Sequence, residues 1–370
     1  MTNLLAGNGF LIQFGGKEYT NKEIVLRTLE NFEKNDFPTE IIVNTPVEAK
    51  SYFGILFNEI IAALQNEYDK YCNCSSERVA LNAFKKKYSD KKSLQISDIG
   101  FEDYYLFSDL ICHKCNIGNP EQFHIRESLK SAFLHSIYNS GKIENIYKHF
   151  SESVVNKLKS YDFIFTTNYD NNIEKSISKE VYHIHGCFYD TDDIYNSNSL
   201  RNQLSDSPIK DCIIDDKFFY LYSTAISFHC GEYKEMHMNQ GCLANKAVEK
   251  IVNAYEQNNR IRENIESWKH NSNSLVAKLY EIIQIKRANP DIHFSEPYHI
   301  DYFKSMSGHL DIIGLSPNND FHIFEMINNS GLSSITYYFY DNSECDIISQ
   351  MMPNKSIEFK DVKKLWEELK

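Results

Sequence analysis

The chain is 370 residues long and carries 39 basic against 51 acidic side chains, a formal charge of −12 at neutral pH. That length holds one large domain with insertions or two modest ones, and an apolar share of 42%, a charged share of 24% and an aromatic share of 14% exclude a disordered tail, a collagen-like repeat and a disulfide-dense mini-protein. The acidic balance argues against direct nucleic-acid binding, which needs a basic face for the phosphates.

Residues 2–6 read as a short strand, ended by a tight turn at Gly7-Asn8-Gly9. The N-terminus is apolar but lacks a basic lead, so it does not read as a signal peptide, and a cytoplasmic location is the default expectation. From Asn21, Ile24, Val25, Leu29 and Phe32 recur at helical spacing. Strand, glycine turn, loop and helix form the opening of a nucleotide-binding α/β sheet.

Pro38 and Pro46 break the next stretch, and helix dominates from there to about residue 158. Phe53, Leu56, Phe57, Ile60, Ile61 and Leu64 share one helix face. This apolar stretch, Tyr52 to Leu64, is interrupted by Asn58 and Glu59 and is too short to cross a bilayer, so no membrane association is expected. The run Lys85-Lys86-Lys87 reads as a solvated helix face. Cys72-Asn73-Cys74 and Cys112-His113-Lys114-Cys115 are one CxC and one CxxC, short of the paired units that mark a structural zinc. With nine cysteines and no secretory lead, reduced thiols are expected and no metal is predicted. Ile143, Ile146, Tyr147, Phe150, Val154 and Leu158 define a second helix face.

The sheet resumes at Tyr161 to Phe165 and runs into Thr166-Thr167-Asn168-Tyr169-Asp170. A short helix over 171–178 precedes a strand over 181–186, which meets Gly186. Residues 190–210 read as loop, and 216–232 are aromatic without a clear assignment. A second helical block spans about 245–287. Residues 309–314, 320–324 and 334–340 read as strands, and Val362, Leu365, Trp366 and Leu369 as one amphipathic helix. The pattern predicts a Rossmann-like, doubly wound, mostly parallel α/β sheet with large helical insertions. Its core is expected from residues 1–45, 159–235 and 300–370, with helical insertions at 46–158 and 236–299.

Four polar clusters each follow a predicted strand: Gly7-Asn8-Gly9, Thr166 to Asp170, His185-Gly186, and Gly314-Leu315-Ser316 with Asp320. Ligands of open parallel sheets bind beyond the carboxyl ends of the strands, so the four clusters are expected to converge on one crevice. A Gly-x-Gly after a strand lets backbone amides approach phosphate oxygens, although a bare tight turn explains it as well. Asp170 reads equally as a helix cap. Asn168 has no capping role in the sequence, and its amide suits a ribose hydroxyl or a water. His185, at a strand end before a glycine, is the candidate general base, with His183 as a packing or supporting group. Gly314 to Asp320 could hold a second ribose or simply make a connection, being rich in ordinary turn formers.

These residues resemble the sirtuin-like family in its bacterial antiphage-defence branch. The motifs are LLAGNGF at 4–10, TTNYD at 166–170, HIHG at 183–186 and IIGLSPNND at 312–320. The first is also similar to the abortive-infection H family. The resemblance implies that Asn168 and His185 are the catalytic pair and that Thr166 and Asp170 belong to the ribose-holding motif. It implies that Gly7, Asn8, Gly9 and Phe10 line the phosphate side, and that Gly314, Ser316 and Asp320 line the adenosine side. The cysteines after His185 never pair as CxxC, so the zinc module of deacylating sirtuins is missing and deacylation is disfavoured.

The activity implied is hydrolysis of NAD, here a substrate, to nicotinamide and ADP-ribose. The implied role is that of the toxic effector of an abortive-infection system. A chain that drains NAD must be restrained, so the resemblance implies a homo-oligomer and a separate partner, such as a HerA-type ATPase or an Argonaute-type protein. The competing reading is a module that senses NAD or a related nucleotide without turning it over.

Overall fold

The computed structural model describes residues 1–34, 46–65, 68–91, 93–119, 121–207, 209–210, 214–225, 232–317 and 320–370. Pro38, Cys212, Cys230, Asn318, Asn319 and much of the aromatic stretch near 230 lie outside the described residues.

Six strands form one parallel sheet: β1 (Thr2–Ala6), β2 (Phe163–Thr166), β3 (Tyr182–His183), β4 (Ser307–Ile313), β5 (Gly331–Phe339) and β6 (Ile357–Asp361). Their spatial order is β3-β2-β1-β4-β5-β6. This is the Rossmann order, and the chain reverses direction across the sheet between β1 and β4. Leu4, Leu5, Ala6, Ile164, Leu310 and Ile312 are buried, as near-continuous apolar runs are when helices cover both faces. Asn3 is a buried polar exception, and its side chain donates to the carbonyls of Ser307 (2.9 Å) and His309 (2.8 Å).

The helices, in chain order, begin with α1 (Asn8–Gly15), α2 (Asn21–Lys34), α3 (Pro46–Leu64) and α4 (Ser75–Tyr88). They continue with α5 (Phe101–Cys115), α6 (Glu121–Tyr138), α7 (Glu152–Lys159) and α8 (Asn172–Ile177). Next come α9 (Leu200–Gln203), α10 (Glu232–Gln257), α11 (Asn259–Glu266) and α12 (Ser274–Ala288). The last are α13 (Ile300–Lys304), α14 (Phe321–Asn328), α15 (Ser343–Met351) and α16 (Val362–Glu368). α5 is buried on almost every side from Phe101 to Cys112, the mark of a helix inside a core rather than on its surface. No described helix is long and apolar enough to cross a membrane.

The chain divides into two compact units. The first comprises residues 1–187, 225–235 and 298–370 and contains the whole sheet. The helices of 46–158 group with the sheet in this unit rather than forming a body of their own. The second comprises residues 188–224 and 236–297, so 188–224, assigned from the sequence to the core, joins the second helical block. Its core contains Leu200, Leu204, Val248, Ile282 and Ile292, with a second cluster of Tyr255, Ile265 and Ile283. Asn258 caps α11 by accepting from the backbone amides of Arg260 and Ile261, and Asn273 caps α12 by accepting from that of Leu275.

Several sequence expectations are corrected. Gly7-Asn8-Gly9 is no free turn, since α1 begins at Asn8 and Gly9 lies in its first helical turn. The strand expected at 181–186 keeps only Tyr182 and His183. The strand expected at 320–324 is the start of α14, an ambiguity inherent in short apolar runs. The single helix face from Ile143 to Leu158 is split into a 3-10 stretch, Asn139–His149, and α7, whose N-cap Ser151 accepts from the Val154 amide. β6 was not anticipated, although Ile357, Glu358, Phe359 and Lys360 alternate as an edge strand should. Lys85 and Lys87, read as merely solvated, pair with Asp69 and Asp103.

Candidate functional site

The carboxyl ends of β1 and β4 meet backbone to backbone. The Gly7 amide donates to the Ile313 carbonyl and the Gly9 amide to the Gly314 carbonyl, each at 2.8 Å. A Cβ on Gly7 would stand 2.5 Å from the Gly314 oxygen, and one on Gly9 would stand 2.7 Å from the Gly314 Cα. Gly314 itself has φ +75°, and a Cβ there would meet the Phe10 nitrogen at 2.3 Å. The three glycines are therefore required by the close approach of two chain turns. The amides of Gly7 and Gly9, expected to face phosphate, are spent on carbonyls of the chain.

The neighbouring residues divide. Asn8 is exposed, with its side chain donating to the Tyr19 carbonyl at 3.0 Å. Phe10 is buried against Phe14, Phe150 and Trp366 in an aromatic cluster, so it serves the core in this state. Ser316 is exposed.

At the end of β2, the Thr166 hydroxyl donates to the Ala6 carbonyl (2.9 Å) and accepts from the Asn168 amide (3.0 Å). The Asn168 side chain donates to the Gly7 carbonyl at 3.3 Å, a structural bond that the sequence did not reveal. Asp170 is buried. One of its oxygens accepts from the backbone and side chain of Asn172, and the other has no partner. Burial pushes its pKa up, against the Asn172 hydrogen bonds. Thr166, Asn168, Asp170, Phe10 and Glu174 border a cavity of ≈ 10 Å³, the space of about one water.

The two histidines after β2 part company because β3 ends at His183 and Gly186 turns the chain with φ +74°. His183 bonds the Asn168 carbonyl through Nδ1 (2.7 Å) and Glu174 through Nε2 (2.6 Å). Burial opposes its protonation, but Glu174 and the Asn168 carbonyl prevail and its pKa is raised. It is thus tied to the Asn168 backbone and to Glu174.

His185 instead faces Asp320 and His322. Its Nε2 lies 3.9 Å from Asp320 Oδ1, and its ring stacks on that of His322 at 5.7 Å and 20°. Burial, then Lys234 and His322, hold its pKa well below the usual value. Burial and Lys234 push His322 down to about 3, while burial pushes Asp320 up to about 7. Lys234, in the first turn of α10, is fully buried and paired with Glu102 at 2.6 Å.

The sequence-derived residues thus form two sets. Gly7, Gly9, Gly314, Thr166, Asn168 and Asp170 gather around the ends of β1, β2 and β4. His185 and Asp320 gather with His322, Lys234 and Glu102, which the sequence reading missed. His322 had a signal, standing two positions after Asp320. Lys234 and Glu102 had none, because only the tertiary fold buries them.

The class this arrangement defines is a Rossmann-like α/β protein with buried polar groups at the carboxyl ends of its strands. Comparison with family models, curated proteins and solved structures finds no match.

Proposed function

We propose that this protein is a sirtuin-like NAD+ glycohydrolase, releasing nicotinamide and ADP-ribose as the effector of an antiphage defence system. The observation that carries the reading is the parallel sheet in Rossmann order, with Asn168 following β2 and His185 following β3, its neighbour in the sheet. Nicotinamide departs from a cationic glycoside as a neutral group, so C1′–N cleavage needs no general acid. Asn168 orients the ribose and the attacking water. The water oxygen bonds to C1′ as the nicotinamide nitrogen leaves with the bonding pair, and His185 takes the water proton. The cavity beside Asn168 and Asp170 has room for about one water, the nucleophile of this reaction. The activity is held off until a partner, such as a HerA-type ATPase or an Argonaute-type protein, engages the chain, since unrestrained NAD hydrolysis would kill its host.

The test is nicotinamide release by the purified chain, alone and with its partner. His185→Ala and Asn168→Ala are each expected to lower the rate by ~10²–10⁴-fold with the fold retained. Full-rate cleavage by both variants would reject the assignment. A second reading, a nucleotide-sensing module without turnover, is favoured by the Gly7 and Gly9 amides being spent on carbonyls of the chain. It predicts saturable NAD+ binding with no nicotinamide released under any condition.

A further inference from the structure

The residue that the glycohydrolase reading uses as base, His185, also belongs to a buried cluster of metal-ligating side chains. One donor atom each from His185, Asp320 and His322 lie within 4.8 Å of one another. Three ligands on a tetrahedral ion with bonds of about 2.0–2.1 Å stand roughly 3.4 Å apart, and the His185–Asp320 pair, at 3.9 Å, is close to that spacing already. We propose that His185, Asp320 and His322 form a binding site for one divalent first-row transition-metal ion.

Three observations support it. His185 Nε2 and both ring nitrogens of His322 are buried without a hydrogen-bond partner. A buried polar atom left unpaired costs about 1–3 kcal/mol, so two such rings facing one carboxylate call for an occupant, and an ion satisfies one nitrogen of each. The two imidazole rings are both buried and are held against each other, with centroids 5.7 Å apart and planes 20° from parallel. The buried cation Lys234 is itself paired with Glu102 at 2.6 Å.

The donor chemistry sets the class of ion. Two imidazoles and one carboxylate suit Zn²⁺, Fe²⁺ or Co²⁺, whereas Mg²⁺ and Ca²⁺ prefer all-oxygen shells. Three protein ligands leave coordination positions open. Among the described residues this is the one cluster of metal-ligating side chains with such geometry; neither the CxC nor the CxxC takes part. The site goes beyond the glycohydrolase reading and shares two residues with it, but it does not depend on NAD.

The experiment is titration of the chelator-stripped 370-residue chain with Co²⁺ alone, read by equilibrium binding, visible absorption and X-ray absorption at the cobalt edge. One equivalent is expected, with two imidazoles and an oxygen in the shell and no sulfur. His322→Ala and Asp320→Asn should each weaken binding at least ~tenfold, and His309→Ala, in a different cluster, should not. Absence of stoichiometric binding, sulfur in the shell, or variants that bind like the wild type would each overturn the proposal. If a variant fails to fold, the wild-type cobalt spectrum decides alone. Nicotinamide release enters none of these readouts, so failure of the NAD reading and failure of the metal site are separately visible.

Discussion

The amide of Gly9 donates to the carbonyl of Gly314 across 2.8 Å, tying the first turn of α1 to the end of β4, more than three hundred positions later in the chain. This bond sits where the strand order reverses, the usual place for a ligand in such sheets. Here the glycines serve first to let two backbones touch.

Substitution at this contact should therefore cost stability. A Cβ on Gly9 lands on backbone, and one on Gly314 adds a left-handed φ to a clash with the Phe10 nitrogen. Gly9→Ala and Gly314→Ala should each lose about 1–3 kcal/mol in urea melts, while Gly118→Ala, with nothing near its Cβ, should be close to neutral. A Gly9→Ala protein as stable as the wild type would return the glycine to a purely ligand-facing role.

Asn172 is a buried junction. Its side chain donates to the Ile143 carbonyl (2.7 Å) and to Asp170, and it accepts from the Tyr147 amide (2.9 Å). Asn172→Ala strands these partners together, and the cost should be about 2–4 kcal/mol, as buried groups lose their bonds. Asn172→Asp should be no rescue, because it places a second carboxylate against Asp170. Denaturant midpoints of the two variants check both statements.

Asp311 links acid pH to stability. Burial raises its pKa, but the Tyr161 hydroxyl (2.5 Å), Lys157 (3.3 Å) and His309 (3.0 Å) outweigh that, and the folded pKa lies below the ordinary value. A depressed folded pKa contributes stability above the unfolded value of about 3.9, and that stability is lost as pH falls through the folded value. Asp311→Asn should thus be less stable than wild type at pH 6, and the gap should narrow towards pH 3. A gap independent of pH would mean that the contribution is packing alone.

The cysteines should react in order of exposure. Cys74 and Cys115 are exposed, whereas Cys112 and Cys187 are buried, and burial pushes the Cys112 thiol up to about 11. Since the thiolate is the reacting form, alkylation followed by mass spectrometry should mark Cys74 and Cys115 first. Cys112 and Cys187 should be marked only on unfolding, and early labelling of Cys112 would refute its placement in the core of α5.

The amino-acid sequence by itself determined the Rossmann-like α/β class, because parallel strands covered on both faces must be short apolar runs ending in turn residues, and β1, β2, β4 and β5 all carry that signature. It also determined the residues gathered at the strand ends, since Gly7, Asn168 and Gly314 each stand directly after or close behind such a run. Only the tertiary structure decided what those residues touch. The helix at Phe321 was not legible, because a run of four apolar or aromatic residues satisfies a strand and a helix equally. The pairing of His185 with Asp320 and His322, rather than with its strand neighbour His183, was hidden too. It depends on where β3 stops and on burial by segments distant in sequence, and neither leaves a local mark on the chain.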